Sequence, residues 1–249
     1  MGMMDAIQKR NIDGLEVGVR SNGYDPQKKT IVLIHGIGVS SRYFLPLAEQ
    51  LSNDYNVYAL DLPGYGSTTK PPKPLSVKEL AEITASFLVK NHLSNVTAIG
   101  HSMGCQIIAH LTTINPSLIS KVVLLAPTTN RRERSVFKQG MRLFQDTFIE
   151  SPKVNYVIFS DYLRMGVLRY LKTSKHMVND HIEDSLRTAT VPHLIIRGER
   201  DPIVPRDWAS YLKTLSPKIH RDEIPGAPHA FQYKYARETS TLCRTFIER

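Results

Sequence analysis

The sequence predicts an α/β fold, a mainly parallel sheet with helices on both faces. Three observations carry that prediction. Short apolar runs alternate with stretches of helical periodicity along most of the 249 residues, the pattern of strand–helix–strand units. Several of these runs are apolar at every position, as expected of strands covered on both sides. One of them, Val96 to Ile99, leads through Gly100-His101-Ser102-Met103-Gly104 into an apolar helical pattern. A Gly-x-Ser-x-Gly pentapeptide therefore sits on a strand–turn–helix corner. A chain of this length, 41% hydrophobic and 22% charged, suits one large core and a single domain.

The elements follow in order. Ala6 to Ile12 and Leu15 to Arg20 flank Asp13-Gly14, a dipeptide suited to a two-residue hairpin turn. Thr30 to Ile34 is a fully apolar-faced strand that ends in His35-Gly36-Ile37-Gly38, and a helical pattern runs from about Arg42 to Leu51. Asn56 to Leu60 reads as the next strand, followed by Asp61-Leu62-Pro63-Gly64-Tyr65-Gly66-Ser67 and a proline-rich loop over Lys70 to Pro74. Ser76 and Glu79 make a capping box for a helix reaching about Asn91. After the Ser102 corner, Lys121 to Ala126 is another buried strand. From Thr128 to Thr190 no strand run is convincing, and apolar residues recur at helical spacing. Phe137, Met141, Phe144 and Phe148 form one stripe, and Tyr156, Phe159, Tyr162, Leu163 and Met165 contribute to a second. Strands resume at His193 to Arg197 and His220 to Ile224, with helices from about Arg206 to Leu215 and Tyr235 to Glu248. The helical insertion would lie over the carboxyl ends of the strands, where open α/β sheets bind ligands.

Composition excludes several classes. No run approaches the roughly eighteen apolar residues of a bilayer span. Met1 to Ala6 holds no basic region leading into an apolar one, so no secretory signal is expected. Cys105 and Cys243 show neither a disulfide framework nor metal-ligand spacing, which fits free buried thiols, a reducing cytoplasmic setting and no zinc. The net charge of +9 comes from cations spread along the chain, and no nucleic-acid-binding motif accompanies it. Arg131-Arg132-Glu133-Arg134 reads chiefly as a solvated face.

A nucleophilic Ser102 needs a base, and the base needs an orienting carboxylate. The loops Gly198-Glu199-Arg200-Asp201-Pro202 and Gly226-Ala227-Pro228-His229-Ala230-Phe231 each follow a predicted strand. They offer Asp201 and His229 in the chain order that an elbow serine requires. Glu199 is the alternative acid, since an Asp-Pro pair also simply forms turns. Among the other histidines, His101 would point away from the serine, His35 belongs to the glycine turn and His220 lies in a strand. An oxyanion would be met by the N–H of Met103 and by the His35–Gly38 turn, through Ile37. That turn lacks the third glycine and the acid of a dinucleotide site, so the nucleotide reading is rejected.

These motifs together resemble the α/β-hydrolase superfamily. HGIG at 35–38, DLPGYGS at 61–67, GHSMG at 100–104, GERDPIVP at 198–205 and GAPHAF at 226–231 span nearly the whole chain in family order. The resemblance implies an α/β-hydrolase fold: a mostly parallel eight-stranded sheet with an antiparallel first hairpin and helices on both faces. It implies a helical lid over 128–190, inserted between core parts 1–127 and 191–249. It also implies a Ser102–His229–Asp201 triad, no cofactor and no metal, with 61–67 a structural turn. Cys105 departs from the family, where many relatives carry glycine. Members that open epoxides or displace halide place Asp at the elbow, whereas Ser102 points to acyl transfer.

The expected activity is hydrolysis of carboxylic esters, carboxylesterase- or lipase/lysolipase-like, through an acyl-serine. The substrate is a small-molecule ester or lipid-like molecule. Phe137, Met141, Phe144, Phe159, Tyr162 and Phe231 are candidate pocket residues, although the default reading of such stripes is that they fasten lid helices to the core. The basic flank from Arg131 to Arg142 suits contact with an anionic membrane surface. Two readings stay open beside this one: hydrolysis of a C–C bond in a diketone-type substrate, and a slow hydrolase that senses a ligand.

Overall fold

The computed structural model describes Met4 and residues 6–249. The rest of the Met1 to Ala6 segment, expected to carry no signal, lies outside the described residues. The elements are β1 (Gln8–Ile12), β2 (Leu15–Ser21), β3 (Thr30–Ile34), α1 (Leu45–Ser52), β4 (Asn56–Asp61), α2 (Val77–Lys90), β5 (Val96–His101), α3 (Met103–Ile114) and β6 (Ile119–Leu125). After β6 come four helices in succession: α4 (Val136–Thr147), α5 (Pro152–Met165), α6 (Val167–Asn179) and α7 (Ile182–Arg187). The chain then returns to β7 (His193–Gly198), α8 (Arg206–Lys213), β8 (Ile219–Ile224), α9 (Phe231–Lys234) and α10 (Ala236–Ile247).

The strands form one eight-stranded sheet in the order β1-β2-β4-β3-β5-β6-β7-β8. Only β1–β2 and β2–β4 pair antiparallel, and the other five pairs are parallel. The β1–β2 turn uses Asp13 at φ 52° and Gly14 at φ 81°. Two successive left-handed residues give the hairpin turn whose twist matches its strands. Every residue of β3, β4, β5 and β7 is buried, because helices cover both faces of the sheet centre. At the start of α2, Ser76 Oγ accepts from Glu79 N–H and Glu79 Oε2 accepts from Ser76 N–H at 2.6 Å, the reciprocal cap expected from the sequence.

Two local differences matter. The pattern from Arg42 to Leu51 opens as a 3₁₀ turn over Ser41–Phe44 before α1 begins. The four-residue α9 directly after His229 has no counterpart in the sequence reading, being too short to show a period. No helix among the described residues is long and apolar enough to cross a membrane.

Candidate active site

The corner between β5 and α3 is built from close backbone approach. A Cβ on Gly104 would lie 2.2 Å from the Ile34 carbonyl oxygen, and one on Gly100 would lie 2.5 Å from the Gly104 oxygen. Neither position has room for any side chain, which lets β3, β5 and the first turn of α3 press together. Between them Ser102 sits at φ 56°, a region L-residues rarely adopt and one that a tight surrounding structure must impose. Its N–H is held by the Leu125 carbonyl at 2.9 Å. Met103 is the first residue of α3, so its N–H has no acceptor within the helix. Cys105, one turn along, is fully buried and its Sγ donates to the carbonyls of Gly100 and Leu125 at 3.2 Å. Burial pushes its thiol well above the usual range.

A cavity of about 580 Å³ opens above this corner. Ser102, His229, Gly36 and Ile37 all line it. His229 lies in the loop between β8 and α9, with Nδ1 2.8 Å from Asp201 Oδ2. The other carboxylate oxygen, Asp201 Oδ1, accepts from the N–H groups of Ile203 at 2.8 Å and Val204 at 3.1 Å. Both partners are buried. Burial works against a charged imidazole, but the Asp201 carboxylate and its hydrogen bond outweigh it and hold His229 up at about 9. Glu199, the alternative acid, instead accepts from Gly226 N–H at 2.7 Å and ties one loop to the other.

The two remaining histidines near the corner are neutral and structural. His35 Nε2 accepts from Leu62 N–H at 3.1 Å while Nδ1 donates to the Gly36 carbonyl at 2.8 Å. His101 is the middle of a relay. Gly36 N–H donates to Tyr43 Oη at 2.8 Å, Tyr43 Oη donates to His101 Nδ1 at 2.8 Å, and His101 Nε2 donates to the His229 carbonyl at 3.0 Å. The carbonyl at one end can only accept, so the direction of every bond is set. Burial lowers both imidazoles below the ordinary value. His101 couples the glycine turn to the His229 loop.

The α4 helix and the turn after it hold that loop from the other side. Asp146 Oδ1 accepts from His229 N–H at 3.1 Å and Glu150 Oε1 accepts from Ala230 N–H at 2.6 Å. Burial raises Asp146 to about 6, and burial with the neighbouring Asp146 charge raises Glu150 to about 8. These carboxylates were not singled out from the sequence. Their signal was a pair of acids four residues apart, Asp146 in the last turn of α4 and Glu150 just beyond its end. The α5 helix is fastened similarly, Asp161 accepting from Ser40 Oγ at 2.6 Å and pairing with Arg42 at 3.0 Å.

Of the six pocket residues expected from the stripes, Phe137, Met141 and Tyr162 line the cavity. Phe144 and Phe159 do not line it. Both stand exposed, in edge-to-face contact with Phe148 and Tyr162 respectively. Phe231 is wholly buried at the start of α9, in the core behind His101. The basic flank is also committed internally. Arg132 pairs with Asp207, Arg134 with Glu183 and Arg142 with Glu133, and Arg131 stacks 3.7 Å over the Tyr211 ring.

The profile of the alpha/beta hydrolase family matches residues 31–240. The chain belongs to that family. This hydrolase is 35% identical over 227 residues to the pimeloyl-[acyl-carrier protein] methyl ester esterase of Pseudoalteromonas atlantica, covering 80% of this chain and 86% of the relative. Against the protein of the same name from Xylella fastidiosa it is 26% identical over 259 residues, covering 92% and 98%. Its fold superposes on a thermophilic esterase from Thermogutta terrifontis with a TM-score of 0.82 at 17% identity, over 98% of each chain.

Proposed function

We propose that this α/β hydrolase cleaves carboxylic esters through an acyl-enzyme on Ser102. The observation that carries the reading is the arrangement about His229: its Nδ1 is bonded to a buried carboxylate, and its ring shares one cavity with a serine on a strained corner. With Nδ1–H directed at Asp201, the free Nε2 lone pair is the base. Ser102 Oγ attacks the ester carbonyl, His229 takes its proton, and the N–H groups of Met103 and Ile37 receive the negative oxygen. The tetrahedral adduct collapses as His229 protonates the leaving alcohol. Water, deprotonated by the same imidazole, then attacks the acyl carbonyl, and the acid leaves as His229 returns the proton to Ser102 Oγ. The helices α4 to α7 act as a lid whose cavity-lining residues, Phe137, Met141 and Tyr162 among them, receive the acyl chain. The names of the esterase relatives support the same reaction class.

Two measurements test this. A fluorophosphonate probe should label one site per chain within minutes, and p-nitrophenyl esters should turn over with an optimum at one acyl length. Labelling without turnover at any chain length would favour a C–C hydrolase or a ligand sensor, and absence of labelling would remove the triad altogether.

The charges around His229 also set a pH dependence. The imidazole must be neutral to act as base, so kcat/KM rises with pH through the His229 pKa of the free enzyme. Because carboxylates hold that pKa above the ordinary 6.5, the rising limb should lie on the alkaline side of an unperturbed histidine. Asp146→Asn keeps an acceptor for His229 N–H but removes a negative charge that raises the imidazole. Its limb should move to lower pH, read from a pH profile of kcat/KM, and a limb that stays in place would mean Asp146 acts on packing alone.

A further inference from the structure

The α4 helix turns its aromatic side outward. Gln139 and Asp146 are buried, as is Glu150 in the turn that follows, while Phe137, Met141 and Phe144 on the other side, with Phe148 at the C-terminal cap, are exposed. An amphipathic helix on a globular protein normally does the reverse. The anomaly is regional. Twelve large apolar side chains stand exposed among the described residues, and ten of them fall between positions 137 and 171. Leu163 is 84% exposed and Leu168 is 77% exposed. Phe137, Met141 and Leu171 are exposed and also line the cavity, so this apolar surface runs directly into the cavity mouth. A contiguous apolar surface of this kind marks a contact site.

The charges say what it contacts. Residues 136–179 contain three carboxylates, Asp146, Glu150 and Asp161, and all three are buried. The exposed cations of the same stretch are Lys138, Lys153, Arg164, Lys172 and Lys175. None of the five forms an ion pair among the described residues. The surface therefore presents aromatic and aliphatic side chains within a set of cations and no exposed acid, the composition of an interfacial helix on anionic lipid. A second copy of the chain is disfavoured as the occupant. A two-fold contact would set the same patch against itself and bring these cations face to face.

We propose that the outer face of α4–α6 docks on an anionic lipid surface and opens the Ser102 cavity onto it. The ester substrate would then be a lipid-borne acyl ester drawn directly from that surface. The docking stands by itself, and only the identity of the substrate rests on the ester-hydrolase reading. Of these cations only Lys138 falls in the Arg131–Arg142 flank expected from the sequence, because the four arginines of that flank are satisfied within the protein.

The test is co-sedimentation of the full chain with vesicles of phosphatidylcholine alone or containing phosphatidylglycerol, alongside turnover of a short water-soluble p-nitrophenyl ester. Binding should require phosphatidylglycerol and weaken as salt rises. The double variant Leu163→Ser/Leu168→Ser should lose about tenfold or more in vesicle affinity, having lost two apolar anchors. Lys172→Glu/Lys175→Glu should weaken binding and flatten its salt dependence. Neither pair lines the cavity, so soluble-ester turnover should stay at the wild-type level in both and show that each variant is folded. Vesicle binding without any ester turnover would keep the docking surface and overturn only the ester reading. No binding to phosphatidylglycerol vesicles by an active wild type would overturn the proposal. So would binding unchanged in both variants, or a dimer in sedimentation velocity that Leu163→Ser/Leu168→Ser dissolves.

Discussion

Ser102→Ala should lower kcat for ester turnover by about 10⁶-fold, the loss seen when a nucleophile is removed from a serine–histidine–aspartate unit. The protein should remain fully folded, and the structure explains why the two effects separate. A serine before a helix usually accepts a bond from the helix amides, so that its loss costs about 1 kcal/mol of stability. Ser102 makes no such bond to α3, and its removal strands no backbone donor. Position 102 instead bears the cost of φ 56°, which an alanine carries equally. Ser102→Gly should therefore be as inactive as Ser102→Ala yet more stable by roughly 1 kcal/mol, since glycine adopts that conformation without strain. Single-turnover kinetics and urea unfolding of the two variants read these separately. Activity within tenfold of wild type in Ser102→Ala would remove this hydroxyl from the chemistry.

The fold was legible where burial is two-sided. Thr30 to Ile34 is β3 residue for residue, because a short, mostly β-branched apolar run between turn residues has few other uses. The Ser102 corner was legible for a steric reason: two glycines spaced about a serine declare a contact that only hydrogen can occupy. The placement of His229 against Asp201 followed from two loops ending neighbouring strands, β7 and β8. The helical insertion was legible in period but not in sense. A 3.6-residue stripe says that one side of a helix is apolar, and only the surroundings say whether that side faces inward. For α4 the inward side mixes Val136 and Leu143 with Gln139 and Asp146, and Asp146 together with Glu150 in the following turn holds the His229 and Ala230 amides. Phe144 reads as a pocket candidate only if apolar means inward, and the same assumption gives Asp146 and Glu150 no functional weight. Phe231 failed differently: α9 turns the chain immediately after His229 and sends that ring into the core.

Asp201→Asn should lower kcat by about 10⁴-fold while leaving the loops in place, and the hydrogen bonds of this carboxylate give the reason. Its Oδ1 is committed to two N–H donors, Ile203 and Val204. An asparagine at 201 has one oxygen and one NH₂ group to distribute, and those two donors claim the oxygen. The NH₂ is left facing His229 Nδ1, where Oδ2 now lies at 2.8 Å. An NH₂ can only donate there, so Nδ1 becomes the acceptor and the ring proton moves to Nε2. The nitrogen that should take the Ser102 proton is then already protonated. Loss of the Asp201 charge also lowers the imidazole, since that carboxylate is the largest influence raising it. The activity that remains should therefore show its acid limb at lower pH than wild type. Because the geometry is kept, KM should change little and the fall should be carried by kcat. A variant that kept activity within tenfold would mean that Glu199 or Asp146 supplies the orienting charge.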